Sequence, residues 1–344
     1  MKNIYSTTLI ALIIVVLLAS CSEKKTTTSF TFAFYNVENL FDTIDDPNIS
    51  DEKYLPDSKI AWNTERYNHK LDNLTKVISG IDTVNFPALF GLCEVENIDV
   101  LNDLVNHESL KKAGYNIIHK DSPDGRGIDV ALLYNPKIFK PIKTNYVVPN
   151  FPDNPNLKTR DILYTKGVVN KNDTIHIFIN HWVSRWGGQA KTEPNRIQIA
   201  KTIKNITDSI LYLQPNANIL IAGDLNDNPS DTSILNVLQA MEVPTNPQNS
   251  TLYNLSLTQF KNGEGSLYYK SWDMFDQIII STAMLTGKNG LKVNSTNQSV
   301  YKQDWMLYQP KKGPARPSRT AAGKYYGGFS DHLPVYVGIK EVRK

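Results

Sequence analysis

Ile219-Leu220-Ile221-Ala222-Gly223-Asp224-Leu225-Asn226-Asp227-Asn228-Pro229 reads as a buried strand that breaks into a polar turn. Ile219–Ala222 is apolar without alternation, the pattern of a strand covered on both faces. Asp224 and Asn226 lie two residues apart beyond it, so both can reach one site. Similar strand-like runs are expected at Thr31–Val37, Ala88–Val95, Tyr115–His119, Ile128–Tyr134, Ile162–Val169, Ile175–His181, Asn218–Gly223, Phe275–Ser281 and Pro334–Ile339. Most are rich in Ile, Val, Phe and Tyr and bounded by Asn, Asp, Gly or Pro. Two stretches carry helical spacing instead: Arg66–Ile81, with Tyr67, Leu71, Leu74 and Ile78 on one stripe, and Glu193–Leu213, with Ile197, Ala200, Ile203 and Ile210. Pro194 and Pro215 suit the boundaries of the second. Strands dominate and helices punctuate. That predicts an α/β fold, a four-layer α/β/β/α sandwich with two mixed sheets flanked by helices. Segments 42–62 and 296–328 are predicted as long irregular surface loops.

The composition suits a globular domain with a real core: 344 residues, 41% hydrophobic and 21% charged. Lys+Arg 37 against Asp+Glu 34 neither demands nor excludes a polyanionic partner. The N-terminus reads as an export signal. Leu9–Ala19 is an apolar run that follows Lys2; it is shorter than the roughly 20 residues a membrane span needs, but suits a signal-peptide core. It ends in Leu18-Ala19-Ser20-Cys21, which resembles a bacterial lipobox. The expected organisation is a signal peptide over 1–20, lipidation at Cys21, a polar tether over 21–29 and one domain over 30–344. Ser22 stands where an inner-membrane retention Asp would, so the expected location is the cell envelope, on the outer membrane, at its periplasmic or surface face. With Cys21 lipidated, Cys93 is the one remaining thiol and no internal disulfide can form.

The residues that carry chemistry sit at the ends of the apolar runs, where a sandwich presents side chains while its core stays dry. Phe34-Tyr35-Asn36-Val37-Glu38 places Asn36 and Glu38 on one strand face, following Phe32 and Phe34. Glu94 follows the apolar run Ala88–Cys93, so it must pair, bind metal or stay exposed. Asp129 opens the strand Ile128–Tyr134. His181 follows Ile175–Ile179, with Ser184, Arg185, Gly187 and Gly188 close behind, a mixture suited to an anion. Asp276 opens Phe275–Ser281, and Ser330-Asp331-His332 precedes the last strand.

Taken in order, Asn36, Glu94, His181, Gly223-Asp224-Leu225-Asn226, Asp276 and Ser330-Asp331-His332 resemble the endonuclease/exonuclease/phosphatase superfamily, over about residues 30–340. Phe34–Asp42, Ser122–Tyr134 and the His181–Gly188 segment look most like its predicted extracellular bacterial nucleases. The resemblance implies a metal-dependent phosphodiesterase, with Glu94 as principal metal ligand aided by Asn36 and Asp331. Hard oxygen ligands suit Mg²⁺, Mn²⁺ or Ca²⁺. Asp224 and Asn226 would orient the attacking water and a phosphate oxygen. Asp276 would hold the tautomer of His332. His181 would act across the phosphate, with Asp129 as its acidic partner; which histidine is acid and which base stays open. Arg185, Ser184, Arg126 and Arg160 are candidate phosphate contacts.

Three readings of function compete. The first is a nuclease acting on DNA or RNA, a monomer held at the membrane by its anchor. The basic stretch Lys311, Lys312, Arg316 and Arg319 would follow a phosphate backbone, and Trp62, Trp182, Trp186 and Trp272 could stack on bases. The second is a phosphatase or phospholipase of sphingomyelinase type, on a small or lipid phosphate. Met274-Phe275-Asp276-Gln277 departs from the Trp-Cys-Asp-Arg segment of inositol phosphatases, and Asn180-His181 stands where repair enzymes carry Tyr. The third is an inactive binding protein, against which the complete set of polar residues argues.

Overall fold

Alternation along the strands sorts the apolar side chains into three layers. The computed structural model describes residues 29–342. The proposed signal peptide, Cys21 and most of the tether lie outside the described residues. The first sheet begins with β1 (Ser29–Leu40), β2 (Leu89–Val95), β3 (Asn116–His119) and β4 (Asp129–Tyr134). The second is built from β5 (Phe139–Val147), β6 (Ile162–Val169), β7 (Asp173–His181), β8 (Asn218–Asp224), β9 (Ala240–Glu242) and β10 (Leu252–Asn254). A small hairpin, β11 (Leu267–Tyr268) and β12 (Trp272–Asp273), precedes β13 (Asp276–Ser281) of the second sheet. β14 (Leu291–Val293) and β15 (Ser299–Val300) then return to the first sheet. A second hairpin, β16 (Leu307–Tyr308) and β17 (Arg316–Pro317), leads to β18 (Val335–Glu341). The spatial orders are β14-β18-β1-β2-β4-β3, with β15 beside β18, and β5-β6-β7-β8-β13-β10-β9.

Phe30, Phe32 and Phe34 of β1 face Ile175, Ile177 and Ile179 of β7 and Leu220 and Ala222 of β8 in the layer between the sheets. The opposite face of the first sheet, with Ala33, Tyr35, Phe90 and Leu92, is covered by α1 (Thr64–Ile81) and α2 (Ile98–Asn106). The outer face of the second, with Phe178, Ile219 and Ile221, is covered by α3 (Gln189–Leu213). This is the predicted four-layer α/β/β/α fold. Each fully buried Leu, Ile or Phe contributes about 1.5–3 kcal/mol, so the three layers dominate the stability.

Several elements depart from expectation. α2 was not predicted, although Asn97 caps it by accepting from the N–H groups of Asp99 and Val100, and Val100, Leu101 and Leu104 form its buried stripe. β5 was also missed, because exposed Lys140, Lys143 and Asn145 interrupt its apolar pattern on a sheet edge. α3 begins at Gln189, so Pro194 lies inside the helix rather than at its boundary.

Strand direction places the site. β1 runs parallel to β2, and β7 to β8, while β13 is antiparallel to β8 and β18 to β1. The C-terminal ends of four strands therefore meet the N-terminal ends of two others at one edge of the sandwich. Among the described residues, 42–62 holds one 3₁₀ turn and 296–328 only two-residue strands and another such turn, as irregular as predicted.

Candidate active site

The inner apolar rows of β1, β7, β8 and β13 each end in a polar residue. Phe30, Phe32 and Phe34 lead to Asn36; Ile175, Ile177 and Ile179 to His181; Leu220 and Ala222 to Asp224; Ile280 and Ile278 back to Asp276. Register then sets neighbours: His181 pairs with Asp224, and Asp224 with Asp276. Gly223 is needed for this approach, because a Cβ there would collide with the Asn180 carbonyl on β7.

Glu94 reaches the site by a different route. Simple alternation would send it outward with Phe90 and Leu92. Its backbone is left-handed (φ 62°), the β2–β4 register shifts there, and Val95 takes the outward place instead. Such a conformation costs about 1–3 kcal/mol in a residue other than glycine, a cost met where function needs the side chain re-aimed. The Glu94 carboxylate accepts from Asn39 N–H at 3.1 Å and Asn36 Nδ2 at 3.4 Å. Asn36 Nδ2 also donates to Asp224 Oδ2 at 3.0 Å. Asn226, left-handed as well (φ 51°), donates its N–H to Asp224 and its side-chain amide to the Trp182 carbonyl.

Two histidines flank Asp224. His181 Nε2 lies 3.7 Å from Asp224 Oδ2 and 3.8 Å from Glu94 Oε1; His332 Nε2 lies 3.8 Å from the same Asp224 oxygen. His332 Nδ1 is 2.6 Å from Asp276 Oδ2, which also accepts from the buried Ser266 hydroxyl at 2.6 Å. Their environments push them apart. Burial, aided by Arg160, Arg126 and His332, holds His181 well below the usual histidine range, so it is neutral. Burial works against charge on His332 too, but Asp276 and Asp224 outweigh it and keep its proton well above that range. Burial lifts Asp224 to about 6, against the pull of the charged His332.

Other expected residues are arranged differently. Asp129 does not meet His181. Its carboxylate accepts from Ser122 N–H at 2.8 Å, while His181 Nδ1 has no hydrogen-bond partner. The reason is the alternation of β4: Val130 and Leu132 point between the sheets, so Asp129 falls outside that row. Arg160 is not free for phosphate. It is buried, paired with Asp124 at 2.9 Å, and donates to the carbonyls of His181 and Trp182. Arg185 is likewise committed, to the Asn226 carbonyl, Asp227, Asp231 and Gln189. Ser184 accepts from Trp186 N–H. Arg126 keeps half of its side chain exposed, 3.6 Å from Asp124. Asp331 is held by Arg319 at 2.8 Å, and Arg319 also donates to Glu38 at 2.9 Å. Trp62 and Trp182 are core residues; Trp186 is 90% exposed.

Two positioning residues were invisible in sequence. Ser266 lies in a stretch without periodicity, ten positions before the Asp276 it supports. Lys70 sits on the buried side of α1 and donates to the carbonyls of Val37 and Phe329 and to Thr320 Oγ1. It ties the end of β1 to the loop that carries Asp331. A charged residue inside an apolar helical stripe is the signal that would have found it.

The arginines invite a direct comparison. Arg160→Ala is expected to lower stability by about 3–5 kcal/mol, because it removes the buried partner of Asp124, leaving it only the half-exposed Arg126, and strips the His181 and Trp182 carbonyls of their donor. Arg126→Ala is expected to leave the unfolding midpoint in place and to raise KM. Chemical denaturation together with steady-state kinetics separates the two, and equal stability losses would contradict the assignment.

Residues 31–341 match the model of the endonuclease/exonuclease/phosphatase family. The chain belongs to that family. It is a phosphoester hydrolase of the endonuclease/exonuclease/phosphatase type. Similar solved structures include a Bacteroides thetaiotaomicron endonuclease/exonuclease/phosphatase family protein (16% identity, TM-score 0.56, covering 92% of this chain and 100% of that one). The human Nocturnin catalytic domain with bound sulfate is 14% identical, with a TM-score of 0.54 over 91% of this chain and 95% of that one. Bacteroides thetaiotaomicron mannosyl-6-phosphatase Bt3783 is also 14% identical, with a TM-score of 0.54 over 90% and 99%. At these identities the likeness is one of fold. No curated protein sequence matches the chain.

Members of this family typically use a divalent metal. The residues present fit one. Glu94 and Asp224 converge on a single amide group, and among the described residues no Lys or Arg pairs with either. The Asn36 amide turns its NH₂ toward them while its oxygen accepts the Glu38 N–H at 2.9 Å, so Asn36 would ligate only by a turn of the amide that gives up that bond. This hard oxygen set suits Mg²⁺ or Mn²⁺. Cys93 lies beneath, within 4.8 Å of donor atoms of His181 and Asp224, but burial keeps its thiol protonated, so it serves as floor and not as thiolate ligand.

Proposed function

We propose that the protein is a divalent-metal-dependent phosphodiesterase that cleaves nucleic acid. The observation that carries this reading is the placement of two histidines beside Asp224, one of them backed by the Asp276 carboxylate. Hydrolysis of a diester expels an alkoxide, which needs a proton or a positive charge to leave. A bound metal would supply Lewis-acid stabilisation of the phosphoryl charge, held by Glu94, Asp224 and Asn36. His332, kept cationic by Asp276, would stabilise the phosphoryl oxygens as charge develops. Neutral His181 would take or relay a proton on the other side. Asn226 would orient the phosphate. Asp331 would act through Arg319, which spans Asp331 and Glu38.

Surface features support a polymeric substrate. Exposed Trp186 follows Arg185 on the loop after His181. Tyr269 is 75% exposed, at the tip of the β11–β12 hairpin, whose Leu267 bridges His332. Both offer apolar faces on which bases can stack. The fold likeness to a mannosyl-6-phosphatase favours a second reading, a phosphomonoesterase on a small phosphate.

The test offers the purified protein supercoiled plasmid, single-stranded RNA, bis-p-nitrophenyl phosphate, mannose 6-phosphate and sphingomyelin, each with Mg²⁺, Mn²⁺, Ca²⁺ or EDTA. Metal-dependent nicking or RNA cleavage is expected. Phosphate release from the monoester, with both nucleic acids intact, would replace the nuclease reading by the second.

The lipid anchor is part of the same proposal. Cleavage before Cys21 and acylation of its thiol would hold the enzyme on the outer membrane. Cys21→Ser is expected to abolish palmitate labelling and to move the protein from the membrane to the soluble fraction. Labelling unchanged in the variant would exclude the anchor.

A further inference from the structure

Displaced from His181, Asp129 has another histidine for a neighbour. His119, at the end of β3, has its side chain 2% exposed. Its Nδ1 lies 3.2 Å from the Val130 carbonyl, an acceptor, so Nδ1 must carry a hydrogen. In the neutral ring Nε2 is then a bare lone pair. Yet Nε2 faces Asp121 Oδ1 at 3.1 Å, and the donor atoms of His119, Asp121 and Asp129 all lie within 4.8 Å of one another. A lone pair 3.1 Å from a carboxylate oxygen needs a positive charge beside it, a cation or a second ring proton.

Asp129 carries the same demand. It is 98% buried and accepts a hydrogen bond from Ser122 N–H, but among the described residues no Lys or Arg pairs with it. The buried Ser122 hydroxyl lies beside the same carboxylate. A metal-ligating histidine ordinarily donates its other ring N–H to a backbone carbonyl, which fixes the tautomer. His119 has that arrangement.

We propose that His119, Asp121 and Asp129 form a second metal site, separate from the hydrolytic centre, for a first-row divalent ion such as Zn²⁺. One imidazole nitrogen and two carboxylates suit Zn²⁺ better than Mg²⁺, which favours an all-oxygen shell. Three protein ligands leave room for water or the Ser122 hydroxyl. The ion would close the 120–128 loop onto β4. That loop carries Asp124, which anchors Arg160 and through it the carbonyls of His181 and Trp182. The role is therefore to staple a wall of the active site.

The test is Zn²⁺ stoichiometry and affinity in the purified protein, read by metal analysis after dialysis and by calorimetry, with Co²⁺ absorbance as a spectroscopic report. Wild type is expected to hold one more equivalent of Zn²⁺ than His119→Ala. Glu94→Gln, which alters the hydrolytic centre, is expected to keep that equivalent. Asp121 is exposed, so Asp121→Asn leaves the fold intact and serves where His119→Ala destabilises it. Loss of this direct ligand should exceed the roughly 10- to 100-fold weakening that removal of an outer partner causes. Identical Zn²⁺ stoichiometry and affinity in wild type and Asp121→Asn would overturn the proposal and identify His119 as an imidazolium paired with Asp121.

Discussion

Glu94→Gln is expected to lose about 10³-fold in turnover, while folding as well as the parent. The amide still accepts the Asn39 N–H, so the backbone turn at Glu94 keeps its support. What goes is one of two carboxylates that meet without a cationic side chain between them. A metal held there is worth several kcal/mol of transition-state charge stabilisation, and each 1.36 kcal/mol is a factor of ten, so a loss of about 10³-fold or more follows. Wild type in EDTA should fall to the same level. In EDTA the variant's thermal midpoint should equal or exceed that of wild type, because removing one charge relieves repulsion with Asp224. Turnover within a few-fold of wild type would dismiss Glu94 as a ligand.

His332→Ala is the second large effect, about 10²- to 10⁴-fold in kcat. The pH profile carries the sharper information. In the proposed mechanism His332 would work as the cation, and its proton is held above the usual range; activity should then fall as pH rises through that raised value. His181 would work as the neutral ring, its proton held below the usual range, so the acid limb belongs first to Asp224, which protonates at about 6. The result is a broad plateau spanning neutrality. Asp276→Asn removes the main support of the His332 proton and should move the alkaline limb to lower pH. Ser266→Ala should move it less, because Ser266 acts only by orienting Asp276. An alkaline limb unmoved in Asp276→Asn would mean that another group titrates there.

Much of this site was legible because it continues regular strands. Asn36, His181 and Asp224 each stand one alternation step beyond an apolar run, and Asp276 one step before another. Their convergence follows from strand direction alone. Arg160 and Arg185 were misread for a physical reason. A guanidinium near a phosphate site and one that props up its walls have the same sequence signature, and only burial and partners distinguish them. Arg160 and Arg185 spend their donors on carbonyls and carboxylates of the protein. Asp129 was misplaced by the face of its strand, since one residue of alternation separates the site from the outer side of the sheet.

The amino-acid sequence by itself determined the layers and the list of polar strand ends, because hydrophobic period and turn chemistry are local properties. It also determined family membership, through the order and spacing of Glu94, Asp224, Asn226 and Ser330–His332. Tertiary structure alone decided how each group is used. Left-handed backbone at Glu94 turns a side chain inward that alternation would send outward. Lys70 and Ser266 reach the site from elements distant in sequence. The protonation of the two histidines is set by neighbours such as Arg160 and Asp276, brought together across four strands. Charge is long-ranged and burial is collective, so neither can be read from a residue and its flanks.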